Sequence, residues 1–349
     1  MSGHEGRDMV AAVVDRYGPP EVVRFDRRPV PAAGRGQILV RVAAAGVNSG
    51  DARIRGARFP PGFGPFARVA FGIRRPRRQV LGNTFSGEVE AVGPGVAASG
   101  ELAPGARVAG MTGVAMGAHA THLVIDAGRA VPVPAGVSHQ QAAGLLFGAT
   151  TAAQFLRRAD ERRARRGSPP IGPGMSVLVI GASGAVGTNV VQLAAGAGAT
   201  VTGVCSAANA ALVRRLGAST VLDRTAFDPG PDSRGPDSRR WDVVVDTVGE
   251  LGLAAGRQLL APGGVLLLVA AGLVDTVRAR GDVVAGPAPE RTEEMSRLLG
   301  MVADGSLEVV FDDVVPLASI VEAYRRVDSG RKVGNLVLDI GLEPSAEPT

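Results

Sequence analysis

Two textures of hydrophobic and polar positions divide the chain. In its second half short apolar runs alternate with amphipathic stretches, whereas its first half shows strict period-two alternation broken by Gly and Pro turns. The run Val177-Leu-Val-Ile180 drops into Gly181-Ala-Ser-Gly-Ala-Val-Gly187, after which Val186, Val190, Leu193 and Ala197 recur at helical spacing. Residues 199–205 read as a second strand and residues 212–217 as the end of a second helix. Further strands are predicted at 221–223, 242–246 and 263–270, with a helix over 251–260. Strands and helices in alternation predict an α/β unit with a parallel, doubly wound sheet.

The first half is different. Residues 37–42 and 86–92 alternate apolar and polar, and 105–109 and 122–125 add two short strands, which predicts a small antiparallel, partly barrel-like domain. Residues 163–174, with Gly, Ser and three prolines, read as an exposed loop into the strand at 177. Past the sheet, Met295, Leu298, Leu299 and Val302 mark a helix over 290–303, followed by a helix over 317–327 and a last strand at 334–339. Residues 1–8 and 342–349 read as loose ends.

The glycine turn carries the first chemistry. A pyrophosphate can approach backbone only where side chains are small, and the helix that follows offers unpaired N–H groups and a positive dipole end. Ala182, Gly184 and Gly187 hold the three fingerprint positions, with Ser183, Ala185 and Val186 between them. The alternative is a structural turn without a ligand.

Composition narrows the field. An apolar fraction of 45% fits an ordinary globular protein, and the longest apolar stretches, such as 265–271, are strand-sized, far below the roughly 20 residues of a bilayer span. Residues 1–8 are polar and lack the apolar core of a secretory signal, so a cytoplasmic protein without a membrane partner is expected. The one cysteine, Cys205, excludes an internal disulfide framework and falls where inert strand packing is expected. Lys332 is the only lysine and Tyr17 and Tyr324 the only tyrosines, which leaves almost no place for a Schiff base or a Tyr-x-x-x-Lys reductase site. The net charge is +5, with arginines clustered at 74–78 and 157–166. Neither cluster is interleaved with aromatics, and the second alternates with Asp160 and Glu161 as a solvated helix face does, so no specific nucleic-acid partner is expected.

Seven ordered motifs then make a family resemblance: Ala45-Gly-Val-Asn-Ser-Gly-Asp51, Leu81-Gly-Asn-Thr-Phe-Ser-Gly-Glu-Val89, the turn from Gly181 to Gly187, Leu216-Gly-Ala218, Asp246-Thr-Val-Gly249, Ala261-Pro-Gly-Gly264 and Lys332-Val-Gly-Asn-Leu-Val-Leu338. Over residues 9–340 the chain resembles the medium-chain dehydrogenase/reductase superfamily, in its zinc-free quinone oxidoreductase-like branch. The resemblance implies a GroES-like antiparallel β catalytic domain from both chain ends, residues 1–135 and 288–349, around a Rossmann cofactor domain of residues 136–287, with the active site in the cleft. Zinc-dependent members hold their metal through a Cys and a His where this chain has Asn48 and Asn83, and a neutral amide is a poor zinc ligand, so no metal is expected. His119 and His122 fall on opposite faces of a predicted strand.

Without a Lewis acid, the accessible chemistry is hydride transfer to an electron-poor carbon of a quinone or an α,β-unsaturated carbonyl compound. The resemblance places Asn48 near the nicotinamide. Asp51 and Arg55 follow on the same segment, either touching substrate or pairing with each other. Thr151 matches a threonine beside the nicotinamide ribose, the alternative being a helix N-cap, and Val248 and Asn335 are further cofactor positions. No residue stands out as a proton donor.

Strand 199–205 is followed by Ser206, with no acid to accept from adenosine ribose hydroxyls, which favours NADP(H) over NAD(H). Relatives often hold the extra phosphate with a basic residue just past this serine and a Tyr after the third strand. Here Ala207-Ala-Asn209 and Arg224 stand there, so Arg224 is expected to replace the clamp, with Arg214 or Arg215 as alternatives, the other reading being that all three are surface arginines. The leading expectation is an NADPH-dependent quinone or enone reductase. The alternatives are a specialised biosynthetic step, such as cyclisation or non-redox rearrangement, and a non-catalytic nucleotide-binding protein. Specificity is expected from loop residues such as Phe59, Phe63, Phe66 and those near Leu273, and a homodimer through edge strand 263–270.

Overall fold

The computed structural model describes residues 6–229 and 240–341. The chain opens with a hairpin of β1 (Asp8–Val14) and β2 (Val23–Pro29) and continues through β3 (Gln37–Val47), α1 (Ser49–Gly56) and α2 (Gly64–Phe71). Next come β4 (Thr84–Val92), β5 (Arg107–Met111), β6 (His122–Asp126), β7 (Ala130–Pro132) and the long helix α3 (His139–Ala164). The alternating half consists of β8 (Ser176–Ile180), α4 (Ala185–Gly196), β9 (Thr200–Cys205), α5 (Ala210–Arg215), β10 (Ala218–Asp223), β11 (Trp241–Asp246), α6 (Leu253–Gln258), β12 (Leu260–Leu268), α7 (Leu273–Arg278) and β13 (Val283–Ala285). The chain closes with α8 (Thr292–Ala303), β14 (Phe311–Pro316), α9 (Ile320–Asp328) and β15 (Asn335–Asp339).

Two large sheets result, and the fold is the expected α/β combination of an antiparallel catalytic unit with a Rossmann-like unit. In one, the order is β14-β15-β3-β4-β5-β7, with β6 also paired to β3, and all pairings except β14 with β15 are antiparallel. Strand β3 is long enough to hold β6 along Gln37 to Arg41 and β15 along Ala44 to Val47, so the two chain ends meet where β3 runs out into Asn48. In the other sheet all strands are parallel in the order β10-β9-β8-β11-β12-β13. Helices on both faces explain why Val177 to Ile180 and Val243 to Val245 are buried throughout instead of alternating. The order reverses around β8, which opens a crevice at the carboxyl ends of β8, β9 and β11.

Helix α3 belongs to both units. Ser138 caps it in a reciprocal capping box with Gln141, and it packs on β3, β4 and β5 as well as on α4 and β12. Gly148 makes that possible, because a Cβ there would lie 2.3 Å from the Ala185 carbonyl oxygen at the start of α4.

Several local expectations are corrected. Helix α3 runs through the arginines to Ala164, so the expected loop at 163–174 starts later, and it is pinned by Arg163 Nε to the Pro169 carbonyl (2.9 Å) and by the Ile171 N–H to Asp160 (2.7 Å). The arginine face is not wholly solvated either, since Arg158 donates to the Ala285 carbonyl at 2.7 Å and Arg163 is buried. Prolines around Phe63 argue against a helix, yet Pro65 sits in the first turn of α2, where a missing N–H costs nothing. Residues 263–270 do not form a sheet edge, because β12 lies between β11 and β13.

Candidate functional site

The site begins at the turn after β8. Gly181 takes φ +78°, a left-handed conformation that favours glycine, and a Cβ on Gly187 would lie 2.1 Å from the Gly181 carbonyl oxygen. The strand end and the first turn of α4 therefore touch backbone to backbone. Gly184 is the N-cap, and the N–H groups of Ala185, Val186 and Gly187 have no intrahelical carbonyl to bind.

Three neighbouring loops hold this turn in shape. The buried Asp246 carboxylate accepts from the N–H groups of Val248 (2.9 Å), Gly249 (2.8 Å) and Leu251 (2.7 Å), which folds the segment after β11 and leaves Val248 facing out. Asn209 Nδ2 donates to Ser183 Oγ at 3.1 Å across the ends of β8 and β9. From the antiparallel unit, the Gly334 N–H donates to the Ser183 carbonyl at 2.8 Å, and Gly334 pairs with Gly184 in a parallel bridge.

Between the two units lies a cleft of about 620 Å³. Asn48, Ser49 and Phe147 wall one end, the glycine turn forms the floor, and Ser206, Ala208, Asn209 and Arg224 line the far side. Arg331 and Lys332 close it from the antiparallel unit. The Lys332 ammonium donates to the Gly334 carbonyl, and burial lowers its pKa from the usual 10.5 to about 8, with Asp312 pulling it up and Arg326 pushing it down. A dinucleotide fits this arrangement: small residues leave the turn open, free N–H groups meet an anion, and cationic side chains flank it.

Asn48 is the N-cap of α1. Its Oδ1 accepts from the N–H groups of Gly50 (2.8 Å) and Asp51 (3.2 Å), which fixes the amide orientation, and Nδ2 donates to Asn83 Oδ1 at 2.6 Å. An amide nitrogen carries two hydrogens, so one is left for the cleft. Asp51 completes the capping box by accepting from the Asn48 N–H at 3.1 Å. The Asp51 carboxyl is fully buried, and desolvation raises its pKa to about 7 although the N–H groups of Asn48, Gly82 and Asn83 act in the opposite sense. It props Asn48 from behind and does not line the cleft.

His119 supports the same segment. Its Nε2 lies 3.0 Å from the Gly46 carbonyl, which can only accept, so Nε2 carries the hydrogen and Nδ1 faces the Tyr324 hydroxyl at 3.3 Å. Burial lowers its pKa to about 4. His122 points elsewhere, to Glu90 at 3.1 Å. Among the described residues, no group of three or more His, Cys, Asp and Glu side chains comes together as a metal site would require.

The remaining sequence candidates divide. Ala182 is buried beneath the turn, and Ser183, Gly184, Ala185, Val186, Ser206, Arg224 and Val248 line the cleft. Arg55 does not reach it. Its side chain is fully buried, bonds Asp328 and the Gly18 carbonyl, and lies 5.0 Å above the Tyr324 ring, so the expected pairing with Asp51 gives way to a tie between α1 and α9. Thr151 is no N-cap but sits inside α3, its hydroxyl donating to the Phe147 carbonyl at 2.7 Å. Asn335 is buried, with Nδ2 turned to the Val310 carbonyl at 3.0 Å. Arg215 pairs with Glu308, and of the three arginines proposed for the clamp only Arg224 lines the cleft. Ser49, Phe147, Asn209, Arg331 and Lys332 escape sequence reasoning as site residues. Only Lys332 carries a signal, as the single lysine of the chain.

Comparison with known proteins agrees with this geometry. Residues 34–135 match the alcohol dehydrogenase GroES-like domain, and residues 216–338 match a family described as zinc-binding dehydrogenase. The mitochondrial NAD(P)H oxidoreductase RTN4IP1 of Danio rerio is 28% identical, over 95% of this chain and 91% of its own length. A chloroplastic quinone-oxidoreductase, QR1 of Triphysaria versicolor, is 25% identical over 96% of this chain and 99% of its own. Among solved structures, the quinone oxidoreductase from Coxiella burnetii superposes with a TM-score of 0.81 at 24% identity, covering 96% of this chain and 100% of that one. Mycobacterial Rv1454c, solved in complex with NADPH, gives a TM-score of 0.76 at 28% identity over 95% of this chain and 100% of that one. The chain belongs to the medium-chain dehydrogenase/reductase superfamily, in its quinone-oxidoreductase-like branch.

Proposed function

We propose that this oxidoreductase is an NADPH-dependent reductase that delivers hydride to a quinone or an α,β-unsaturated carbonyl compound without a catalytic metal. The observation that carries the reading is the hydrogen bond between Asn48 and Asn83 at the cleft wall, where two neutral amides satisfy one another. Neither amide suits a zinc ion as thiolate or imidazole does. The names of the Danio rerio and Triphysaria versicolor relatives support the class of reaction.

When bound, the dinucleotide supplies the hydride. Asn48 keeps its second Nδ2 hydrogen for the substrate oxygen, where negative charge develops as the enolate or hydroquinone forms. The capping box and Asp51 hold that donor at a fixed angle, so no reorganisation is needed at the moment of transfer. Phe147 lines the same wall of the cleft. Glu250, on the segment after β11, is the one carboxyl among the described residues that lines the cleft, and solvent supplies the proton that completes the reduction.

Preference for NADPH rests on Ser206, which places no carboxylate at the end of β9, and on the guanidinium of Arg224 opposite it. The reading takes the enzyme to be a cytoplasmic homodimer acting on a small molecule, with the cofactor unit spanning residues 136–287. The test is NADPH oxidation by the purified protein across quinones and conjugated enones in the presence of a chelator. Turnover with at least one class is expected. Tight NADPH binding without any oxidation would move the chain to a non-redox or non-catalytic role.

A further inference from the structure

One surface feature has no part in the cleft. Phe66 and Val69 on α2, and Ile73 just past its end, are 65%, 63% and 66% exposed. The spacing of three puts Phe66 and Val69 on one side of the helix, and Ile73 follows after Gly72 has ended it. The row on the other side, Phe63, Ala67 and Phe71, is partly buried, and Phe71 stacks on Phe59 with ring centroids 6.0 Å apart. The inward contacts of α2 are therefore complete without the outer row.

The helix is held in place while it displays these side chains. The Tyr17 hydroxyl donates to the Gly72 carbonyl at 2.6 Å, and Arg68 lies 5.5 Å above the Tyr17 ring and donates to the Ile73 carbonyl at 2.8 Å. Directly after it, Arg74, Arg75, Arg77 and Arg78 are exposed, and among the described residues they form none of the ion pairs made by Arg24, Arg55, Arg257 or Arg326. Arg74, Arg75 and Arg77 line a hollow of about 810 Å³. No Asp or Glu occurs between Asp51 and Glu88, so this segment is cationic, and Asp15 reaches its edge through Gln79 at 2.8 Å.

We propose that α2 and the arginine loop dock the protein peripherally on an anionic phospholipid surface. Phe66, Val69 and Ile73 enter the headgroup boundary, and the guanidinium groups of 74–78 pair with lipid phosphates. Either signal alone gives weak attachment, and the two together give a stable one. Phe66 and Val69 protrude from the helix outside the hollow, and Ile73 stands at the hollow beside the arginines, so apolar and cationic groups share one face as an anionic lipid surface requires. No helix among the described residues is long and apolar enough to cross a membrane, so the contact is one of surface only. The proposal departs from the expectation of no membrane partner in this surface contact alone.

The full chain is sedimented with phosphatidylcholine vesicles with and without phosphatidylglycerol. Binding to the anionic vesicles alone, weakened by salt, is expected. Arg74→Gln with Arg75→Gln lowers it about twenty- to thirtyfold, at about fivefold per arginine. Phe66→Ser with Val69→Ser removes the part that survives salt, and the emission of a Phe66→Trp variant shifts to the blue on the vesicles. Equal binding to neutral vesicles, no loss in either double variant, or an unshifted emission overturns the proposal. So does absent vesicle binding with self-association that Phe66→Ser and Val69→Ser abolish, which assigns the row to a second copy of the chain. Vesicle binding is read without substrate or dinucleotide, so it stands apart from the reaction proposed above.

Discussion

Asn48 Nδ2 donates to Asn83 Oδ1 at 2.6 Å, joining the start of α1 to the segment before β4 at the wall of the cleft. Because Oδ1 of Asn48 is already engaged by two backbone N–H groups, this amide cannot turn, and its free hydrogen has one direction available. Asn48→Ser separates the two duties. Serine caps a helix about as well as asparagine, so Tm stays nearly unchanged, while loss of the donor lowers kcat about a hundredfold. Thermal melts and steady-state kinetics on one preparation check this. A kcat equal to that of the parent removes Asn48 from the reaction.

Arg224→Ala raises the KM for NADPH by about ten- to a hundredfold, the worth of one charge-assisted hydrogen bond, and leaves NADH unaffected. Arg215→Ala is the control, because Arg215 is occupied by Glu308 outside the cleft. Equal effects of Arg224→Ala on both dinucleotides contradict the clamp.

Lys332 gives the site a pH dependence. Its ammonium is lost as pH rises through about 8, so affinity for the anionic dinucleotide falls above that value. The stability of the free protein moves the other way. The folded value lies below the unfolded 10.5, the unfolded chain binds more protons between the two, and stability rises with pH in that window. Lys332→Met weakens NADPH binding, read by fluorescence titration, and flattens both slopes. A parent slope that persists in the variant assigns the titration to another group.

Asp51 has the opposite sign. Its carboxyl is held near 7 against an ordinary 3.8, so the folded protein binds more protons between these values and stability falls as pH rises through them. The substitution Asp51→Asn keeps an acceptor for the Asn48 N–H and removes the charge. The variant therefore loses this pH dependence and is the more stable of the two proteins above pH 7. Denaturant unfolding on either side of the window measures it, and a parent slope retained in the variant places the titration elsewhere.

The parallel sheet was legible because helices on both faces turn its strands into continuous apolar runs, as at Val177 to Ile180. Asn48 was singled out through the resemblance of its Gly-Val-Asn motif, whereas its capping of α1, set by residues two and three places on, was not read from the sequence. Arg55 misled because i,i+4 spacing from Asp51 suggests a pair, and nothing near it in sequence announces that Asp328 covers it from α9. Arg331 and Lys332 were not legible as site residues, since the pairing of Gly184 with Gly334 that brings them to the cleft is long-range. Edge strand β13 escaped because three residues carry no readable alternation, which leaves β12 to read as the edge.

The most direct test is a single turnover with NADPH deuterated at the transferring position, a quinone or conjugated enone as acceptor, and a chelator throughout. Loss of the reduced-nicotinamide absorbance, with deuterium carried to carbon in an enone product and a slower step than with unlabelled NADPH, is the predicted result. Absorbance that stays constant while the dinucleotide is bound, or turnover that disappears on chelation and returns with zinc, would contradict it.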